Sequence, residues 1–297
     1  MTRALTFSTI ALLLTAGPVR AQQNVDVTRT VAANATIHIE NTAGSVRVQG
    51  WDRNEVRVTG TLAEDAEELQ VRGGQNRLRI EVEFPEGERR SRRGGESRLE
   101  FRVPAGARVE IETISADISV AGVTGEVDLE SVSGQMIVEG NPRRVDVEGV
   151  SSNIRVTGRP GTVNAESVSG EIDVREAGSE ISAATVSGRI IAAASRLRRG
   201  DFESVSGSIS FTGALERDAR LDIENYSGVV ELRLPASTSA TFEVSTFSGE
   251  IENQLTTHQP RRTSRYAPGR ELSFVAGDGG ARVSIESFSG SVRILKQ

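Results

Sequence analysis

The stretch Val127–Val174 reads VDLESVSGQMIVEGNPRRVDVEGVSSNIRVTGRPGTVNAESVSGEIDV and contains one twelve-residue pattern three times, beginning at Val127, Val145 and Val163. In each copy, apolar residues alternate with polar ones before and after a Ser-Gly or Ser-Ser pair. Alternation with a period of two is typical of half-buried β-strands, and a glycine between them indicates a tight bend. The pattern therefore predicts repeated units of two short strands joined by a corner.

Seven further copies of the pattern lie outside this stretch, and they begin at Ile37, Val109, Ile181, Gly200, Leu221, Phe242 and Val283. Equivalent corner positions lie 18 residues apart from Gly134 to Gly188, and the spacing then lengthens to 19 and to 21. One unit cannot bury its apolar face alone, whereas units stacked about 4.8 Å apart bury continuous columns of side chains. We therefore predict an all-β fold, a single-chain β-solenoid of about ten or more coils with repeats of 18–21 residues. The chirality of parallel crossovers favours a right-handed solenoid.

Two sets of equivalent positions are expected to form columns in the interior. The first set contains Val127, Val145, Val163 and Ile181. The second set contains Val132, Val150, Val168, Val186 and Val205, followed by Tyr226, Phe247 and Phe288. Because the coils lengthen where residues of the second set become bulkier, we interpret that set as part of a packed interior.

The N-terminus is typical of a cleaved signal peptide. Arg3 precedes a short apolar run around Ile10–Leu14, and Val19-Arg20-Ala21 places small or apolar residues where signal peptidase acts, which predicts cleavage after Ala21. This run is too short to span a bilayer comfortably, and no later apolar run approaches that length. We therefore expect an exported chain with no transmembrane segment.

The departures from the repeat divide the chain into three parts. Residues 1–21 are the predicted signal peptide, residues 22–105 an N-terminal coil and capping strands with an Arg-rich loop, and residues 106–297 the repetitive solenoid with a loop insertion at 254–270. The segment Trp51–Phe84 is expected to cap the first coil, because an open terminal coil is an unpaired sheet edge.

The composition excludes several classes of site. The chain contains no cysteine, so it has no disulfide, no thiolate nucleophile, no Cys-ligated metal and no lipid on an N-terminal Cys. The formal net charge is −6, and loss of Arg3 and Arg20 with the signal peptide makes it −8. Nucleic acid is therefore not an expected partner.

The tandem SVSG and TFSG segments resemble a bacterial "putative adhesin" family of toastrack-like β-strand-repeat proteins. Gly44–Leu62 is similar to the N-terminal part of that family, Arg102–Val120 to its middle part and Leu234–Asn253 to its late part. The resemblance implies a β-solenoid exposed outside the cytoplasm, with links to adhesion and to envelope stress. It implies no catalytic residues.

The sequence does not indicate a catalytic site or a cofactor. Its only histidines are His38 and His258, and neither has an evident partner, so each is interpreted as a surface residue. Ser-Gly pairs such as Ser133-Gly134 recur in most copies, whereas catalysis needs a single nucleophile with an adjacent base. We interpret these serines as hydrogen-bonding residues of the corner.

Glutamates recur at one outward position of the repeat, at Glu112, Glu130, Glu148, Glu166, Glu203, Glu224 and Glu286. Carboxylates stacked about 4.8 Å apart repel each other by about 0.9 kcal/mol per pair in water. Solvent, arginines such as Arg155 or Arg175, or a hard divalent cation such as Ca²⁺ could each relieve this repulsion. The sequence assigns no metal ligand among these alternatives.

Two arginine clusters are the candidate partner-binding loops, Arg89, Arg90, Arg92 and Arg93 in the first and Arg261, Arg262 and Arg265 in the second. They could bind anionic lipid, polysaccharide or an acidic protein. Alternatively they are solvated connectors, because Lys296 is the only lysine and arginine therefore supplies nearly all basic surface.

These observations predict an exported, non-enzymatic envelope protein, periplasmic or at the cell surface, that acts as a binding or structural scaffold. Its role would be adhesin-like or associated with envelope stress, and its partner an envelope protein or a glycan. A β-helix carbohydrate-active enzyme and a self-assembling solenoid are the alternatives.

Overall fold

The computed structural model describes residues 23–85, 95–264 and 268–297. Within these ranges every regular element is a β-strand, and the strands pair into one open sheet. The prediction of an all-β solenoid is confirmed, while its hand and its number of coils stay predictions. The predicted signal peptide, residues 1–21, lies outside the described residues.

The strands fall into three groups along the chain. The N-terminal group is β1 (Asn24–Thr30), β2 (Thr36–Trp51), β3 (Glu55–Thr61), β4 (Glu68–Gly73), β5 (Arg77–Glu83) and β6 (Ser97–Pro104). The middle group is β7 (Arg108–Ala121), β8 (Glu126–Glu139), β9 (Arg144–Thr157), β10 (Thr162–Ala177), β11 (Glu180–Ser206) and β12 (Ser208–Leu234). The C-terminal group is β13 (Ala240–Thr246), β14 (Ile251–Asn253), β15 (Arg261–Arg262), β16 (Arg270–Ala276) and β17 (Ala281–Lys296).

The strands of the middle group stack in parallel and in chain order. Val127 of β8 pairs with Val109 of β7 on one side and with Val145 of β9 on the other. Because equivalent repeat positions pair from coil to coil, each position of the repeat becomes a column or row that follows the axis of the stack.

The Ser-Gly corner of β8 shows why these residue types recur. Gly134 has a φ of +120°, and a Cβ at this position would lie 2.4 Å from the carbonyl oxygen of Ala116 in the preceding coil. The hydroxyl of Ser133 donates a hydrogen bond to the carbonyl oxygen of Ile114, at 3.2 Å. The glycine lets neighbouring coils approach, and the serine fastens the corner to the coil before it.

The coil of β9 reverses this arrangement. Gly149 pairs with Ser131 and Ser167, which are buried serines, and Ser152 occupies the position of the corner glycine. Ser152 is fully buried, and a Cβ added to Gly149 would lie 2.8 Å from the Cβ of Ser152. The two exchanges compensate, because the side chain of Ser152 fills the space beside Gly149.

Antiparallel strands lie at both ends of the stack. At the N-terminal end, β2 lies between β7 and the pair β5 and β6, which pair in turn with antiparallel β4 and β3. At the C-terminal end, β17 lies between β12 and the pair β13 and β14, and β13 pairs with antiparallel β16. The last strand of the chain is therefore inserted behind strands that precede it in sequence.

The first predicted core column is buried, and the second is not. Val127, Val145, Val163 and Ile181 are at most 2% exposed. Val132, Val150, Val168, Val186 and Val205 are 47–50% exposed, so their assignment to the interior is wrong. The reason is that alternation continues unbroken to the corner. Leu129 and Ser131 point inward, and Val132 therefore points outward.

The wider coils contain bulkier core residues at other positions. Phe202 and Phe211 occupy the positions that Leu129 and Val138 occupy in the narrower coil of β8, and both rings are at most 1% exposed. Their ring centroids lie 5.9 Å apart. A larger coil cross-section is thus filled by phenylalanine, as close packing requires.

Candidate binding groove

An apolar row follows the outer side of the corner, with one residue from each coil of the repeat after the coil of β2, where Thr42 holds this position. In spatial order its members are Ile114, Val132, Val150, Val168, Val186, Val205, Tyr226, Phe288 and Phe247, and each is 45–57% exposed. Parallel coils stack about 4.8 Å apart, so these side chains form a continuous apolar strip along the axis.

An acidic row runs beside the apolar row, two residues earlier in each coil. Its members are Glu112, Glu130, Glu148, Glu166, Glu203, Glu224 and Glu286, all of them exposed. Ala184 and Ser245 interrupt it. The acidic row and the apolar row together line a groove of about 1190 Å³.

The C-terminal end of the apolar row is a stack of three aromatic rings. The ring of Phe288 lies between those of Tyr226 and Phe247, at centroid distances of 4.7 and 4.9 Å and interplanar angles of 5° and 6°. This order follows from the insertion of β17 between β12 and β13. Both faces of Phe288 are therefore covered by the neighbouring rings.

The glutamates of the acidic row from Glu130 onward have no ion pair among the described residues. Partial burial raises the pKa of Glu130, and the neighbouring carboxylates of Glu112 and Glu148 raise it further. Arg155 and Arg175 do not relieve this repulsion, because both pair with the buried carboxylate of Asp173 at 3.4 and 2.9 Å. These arginines follow the corner and therefore lie on the other half of the coil.

A second outward row of carboxylates, two residues before the acidic row, has arginine partners. We call it the paired row, and it comprises Asp128, Asp146, Asp201 and Asp222, whose partners are Arg108, Arg144, Arg199 and Arg220 at 2.5–3.4 Å. The hydrogen bond from Arg144 to Asp146 raises the pKa of Arg144, and that from Arg220 to Asp222 does the same for Arg220.

His38 lies beside the N-terminal end of the acidic row, and the expectation that it has no partner is wrong. Its Nε2 lies 2.5 Å from Glu40 and 3.8 Å from Glu112, and its Nδ1 lies 3.5 Å from Glu110. The cluster forms because β2 pairs with β7, which is distant in sequence. Arg79 also pairs with Glu40 and Arg108 with Glu110, so the carboxylates already have three basic partners and the cluster is a network of polar contacts.

The profile of the Toastrack DUF4097 family matches residues 34–295, from the residues before β2 into β17. The chain belongs to the Toastrack DUF4097 family. The resemblance drawn from the SVSG and TFSG segments is therefore confirmed. Among curated proteins, none matches the chain.

A solved structure shares this fold. The crystal structure of a "putative adhesin" from Bacteroides fragilis is 11% identical over 93% of this chain and 99% of that one, with a TM-score of 0.53. Weaker likenesses are a "putative adhesin" from Parabacteroides distasonis, 11% identical over 93% and 98% with a TM-score of 0.32, and a "putative cell adhesion protein" from Clostridium sporogenes, 10% identical over 93% and 100% with a TM-score of 0.26. At these identities the likeness to the Bacteroides fragilis structure concerns the fold.

The arginine clusters are only partly within the described part of this toastrack chain. Arg261 and Arg262 form β15, which pairs with β16, and both side chains are exposed without an ion pair to another described residue. The adjacent Thr263 lines the C-terminal end of the groove. Arg89, Arg90, Arg92 and Arg93 and also Arg265 lie outside the described residues.

The apolar row is the feature that sequence reasoning placed on the wrong side of the sheet. A count of alternating positions that begins at Val127 and does not pause at the corner puts Leu129 and Ser131 inside and Val132 outside. The signal was therefore present, but the hydrophobicity of Val132 outweighed its position.

Within the described residues, no helix is long and apolar enough to cross a membrane.

Proposed function

We propose that this chain is an exported, non-enzymatic scaffold, periplasmic or at the cell surface, that binds an envelope partner along the groove. The apolar row is the observation that supports this most strongly, because large contiguous exposed apolar surface usually marks a binding site. A solenoid offers an extended face of this kind. The name given to the Bacteroides fragilis structure agrees with an adhesive role, and the signal-peptide pattern of residues 1–21 supports export.

The test removes the apolar character of the row in the middle of the groove. The variant V150S/V168S should associate with intact envelope fractions at least about tenfold more weakly than the parent, because each change exposes less apolar surface to a partner. The control is V229S/V275S, which changes two exposed valines outside the row. Crosslinking and pull-down with the mature chain measure both, and equal association of V150S/V168S and the parent would reject the groove as the binding surface.

The residues of the groove favour a scaffold over a carbohydrate-active enzyme. The neighbours of each glutamate within the acidic row are other glutamates or the small residues Ala184 and Ser245. In the described part of the chain the histidine beside this row is His38, which already contacts three carboxylates. Mature protein incubated with plant, algal and bacterial polysaccharides should release no product. Turnover that disappears in E130Q or E148Q would support the enzyme instead.

The arginine clusters are a second proposed contact, to an anionic envelope component. The supporting observation is that Arg261 and Arg262 are exposed and unpaired among the described residues. Such a contact should weaken as salt rises, since exposed charges are screened within about 8–10 Å at ordinary ionic strength. The variants R261S/R262S/R265S and R89S/R90S/R92S/R93S should fold and associate less with envelope at low salt; association like that of the parent would leave both segments as connectors.

Self-assembly through the ends of the solenoid is the less favoured alternative. Antiparallel strands lie against the terminal coils at both ends, whereas head-to-tail growth needs parallel coil edges that are open.

A further inference from the structure

We propose that the groove binds a linear polypeptide segment that combines apolar side chains with lysine or arginine. This inference rests on the proposed function, in which the groove is the binding surface, and it names the chemistry of the partner. The apolar row spans about 38 Å at about 4.8 Å per coil, the length of about 12 residues of extended chain.

The first argument is the negative charge of the acidic row, which no ion pair between described residues compensates from Glu130 onward. The arginines on this face pair with the paired row, as Arg144 does with Asp146 at 2.5 Å and Arg220 with Asp222 at 2.5 Å. Glu130, two residues from the apolar row, has no such partner among the described residues, and burial and then the carboxylates of Glu112 and Glu148 raise its pKa. A partner that brings cations to the acidic row removes this repulsion, whereas an anionic partner increases it.

The second argument is that the two rows require two properties of one partner. Apolar atoms of the partner must cover Val150, Val168 and their neighbours. Its cations must lie along the acidic row, which is two residues, or about 7 Å, away along each strand. Polypeptide side chains supply both, and the aliphatic stems of lysine and arginine can lie on apolar surface while their charged ends reach carboxylates. The groove therefore matches an amphipathic basic segment.

A glycan and a lipid match the groove less well. Sugar rings bind aromatic residues through exposed ring faces, but the stack covers both faces of Phe288 and one face each of Tyr226 and Phe247, at centroid distances of 4.7 and 4.9 Å. Anionic lipid headgroups would meet the acidic row. A second copy of the mature chain, which is also acidic, would bring another acidic row when it binds through the same face.

The experiment uses the mature chain and a fluorescent synthetic peptide of about 12 residues in which leucine and lysine alternate. Fluorescence anisotropy should show binding that weakens with salt. Peptides of alternating leucine and glutamate, and of alternating serine and lysine, should bind at least about tenfold more weakly, because each lacks one of the two properties.

Two triple variants separate a specific site from general attraction to an acidic protein. E130Q/E148Q/E166Q and D146N/D201N/D222N remove the same formal charge from neighbouring rows of the same face. The first variant should weaken peptide binding about tenfold, because it removes the carboxylates that would pair with the lysines of the peptide. The second should weaken it less than about twofold, because it removes carboxylates that pair with arginines of the chain itself. Equal losses in the two variants would overturn the inference.

The remaining outcomes identify other occupants. Chitohexaose and vesicles of phosphatidylglycerol are tested as competitors of the envelope association that V150S/V168S weakens. If chitohexaose competes, the partner is a glycan and not a polypeptide. If the vesicles compete, the partner is a lipid. A dimer in light scattering that V150S/V168S dissociates would replace it with a second copy. If V150S/V168S loses envelope association but the peptide does not bind the parent, the proposed function stands and this inference fails. If V150S/V168S loses nothing, the groove itself is rejected.

Discussion

The two sides of the corner differ in exposure although their residues are alike. On the inner side, Val127 and Leu129 are at most 1% exposed, and on the outer side Val132 is 49% exposed. Both positions repeat from coil to coil along the stack. The difference shows that apolar residues of the solenoid fall into two groups. The inner columns hold the coils together, whereas the apolar row contributes little to that packing and is available for binding.

The outer side contains a second difference, between the acidic row and the paired row. Asp146 has Arg144 at 2.5 Å, whereas Glu148, in the same coil, has no ion pair among the described residues. Surface that is balanced in charge needs no partner. In the groove, glutamates without an ion pair to another described residue lie beside exposed apolar side chains.

The largest expected effect distinguishes the inner side from the outer side. Leu129→Ala removes a fully buried side chain and should lower the free energy of unfolding by about 2–5 kcal/mol. Val132→Ala and a substitution at the outward Asp128 should each change it by no more than about 0.5 kcal/mol. Denaturant titration of the three variants measures this, and similar losses at positions 129 and 132 would contradict the placement of the apolar row outside.

The corner glycine should give the next largest effect. Gly134→Ala places a Cβ 2.4 Å from a backbone oxygen at a φ of +120°, and we expect a loss of about 1–3 kcal/mol or more in the free energy of unfolding. Gly74→Ala is the control, since a Cβ at Gly74 has no atom within 4 Å. A neutral Gly134→Ala would mean that the coils are not as close at the corner as the structure has them.

The elements that follow from local pattern could be predicted from the sequence, and those that depend on distant pairing could not. The strands around Val127 and the corner at Gly134 each follow from a few adjacent residues. The position of β17 between β12 and β13 depends on pairing across the whole C-terminal insertion. The cluster of His38 with Glu112 likewise joins strands that are far apart in sequence.

The exposure of the apolar row has a different cause. Position in the alternation and hydrophobicity of the side chain gave opposite indications for Val132. Burial is the usual state of valine, and the correlation between coil length and the bulk of Tyr226 and Phe288 favoured the interior. The phenylalanines that fill the longer coils, such as Phe202, lie at different repeat positions. Coil length therefore does correlate with the size of core residues, but those residues are not the members of the apolar row.

The aromatic stack at the end of the apolar row should contribute moderately to stability. Phe288→Ser removes the central ring of three, and aromatic pairs contribute about 0.5–1.5 kcal/mol each beyond the area they bury. The loss should exceed that of Val168→Ser, which removes a row residue without ring partners. Thermal and denaturant unfolding compare the two, and equal losses would mean that the rings contribute no more than exposed valine does.

The smallest expected effects come from removing one carboxylate from the acidic row or from the paired row. The free energy of unfolding should change in opposite directions in the two cases. Asp146→Asn removes the partner of Arg144 and should lower the free energy of unfolding by about 0.2–1 kcal/mol. Glu130→Gln removes a carboxylate whose pKa is raised in the folded state, first by burial and then by Glu112 and Glu148, and should increase the free energy of unfolding near pH 7.

The gain from Glu130→Gln should depend on pH in a defined direction. Because the folded pKa of Glu130 lies above its unfolded value, the native state binds more protons between the two, and the free energy of unfolding falls as pH rises through that window. The penalty of the carboxylate is complete above the folded pKa and absent below the unfolded one. Denaturant titrations at about pH 7 and about pH 3.5 should therefore show a gain for Glu130→Gln over the parent only at the higher pH. A gain that persists in acid would assign it to packing of the amide instead, and a loss at neutral pH would show that Glu130 has a favourable partner that removes the charge imbalance of the groove.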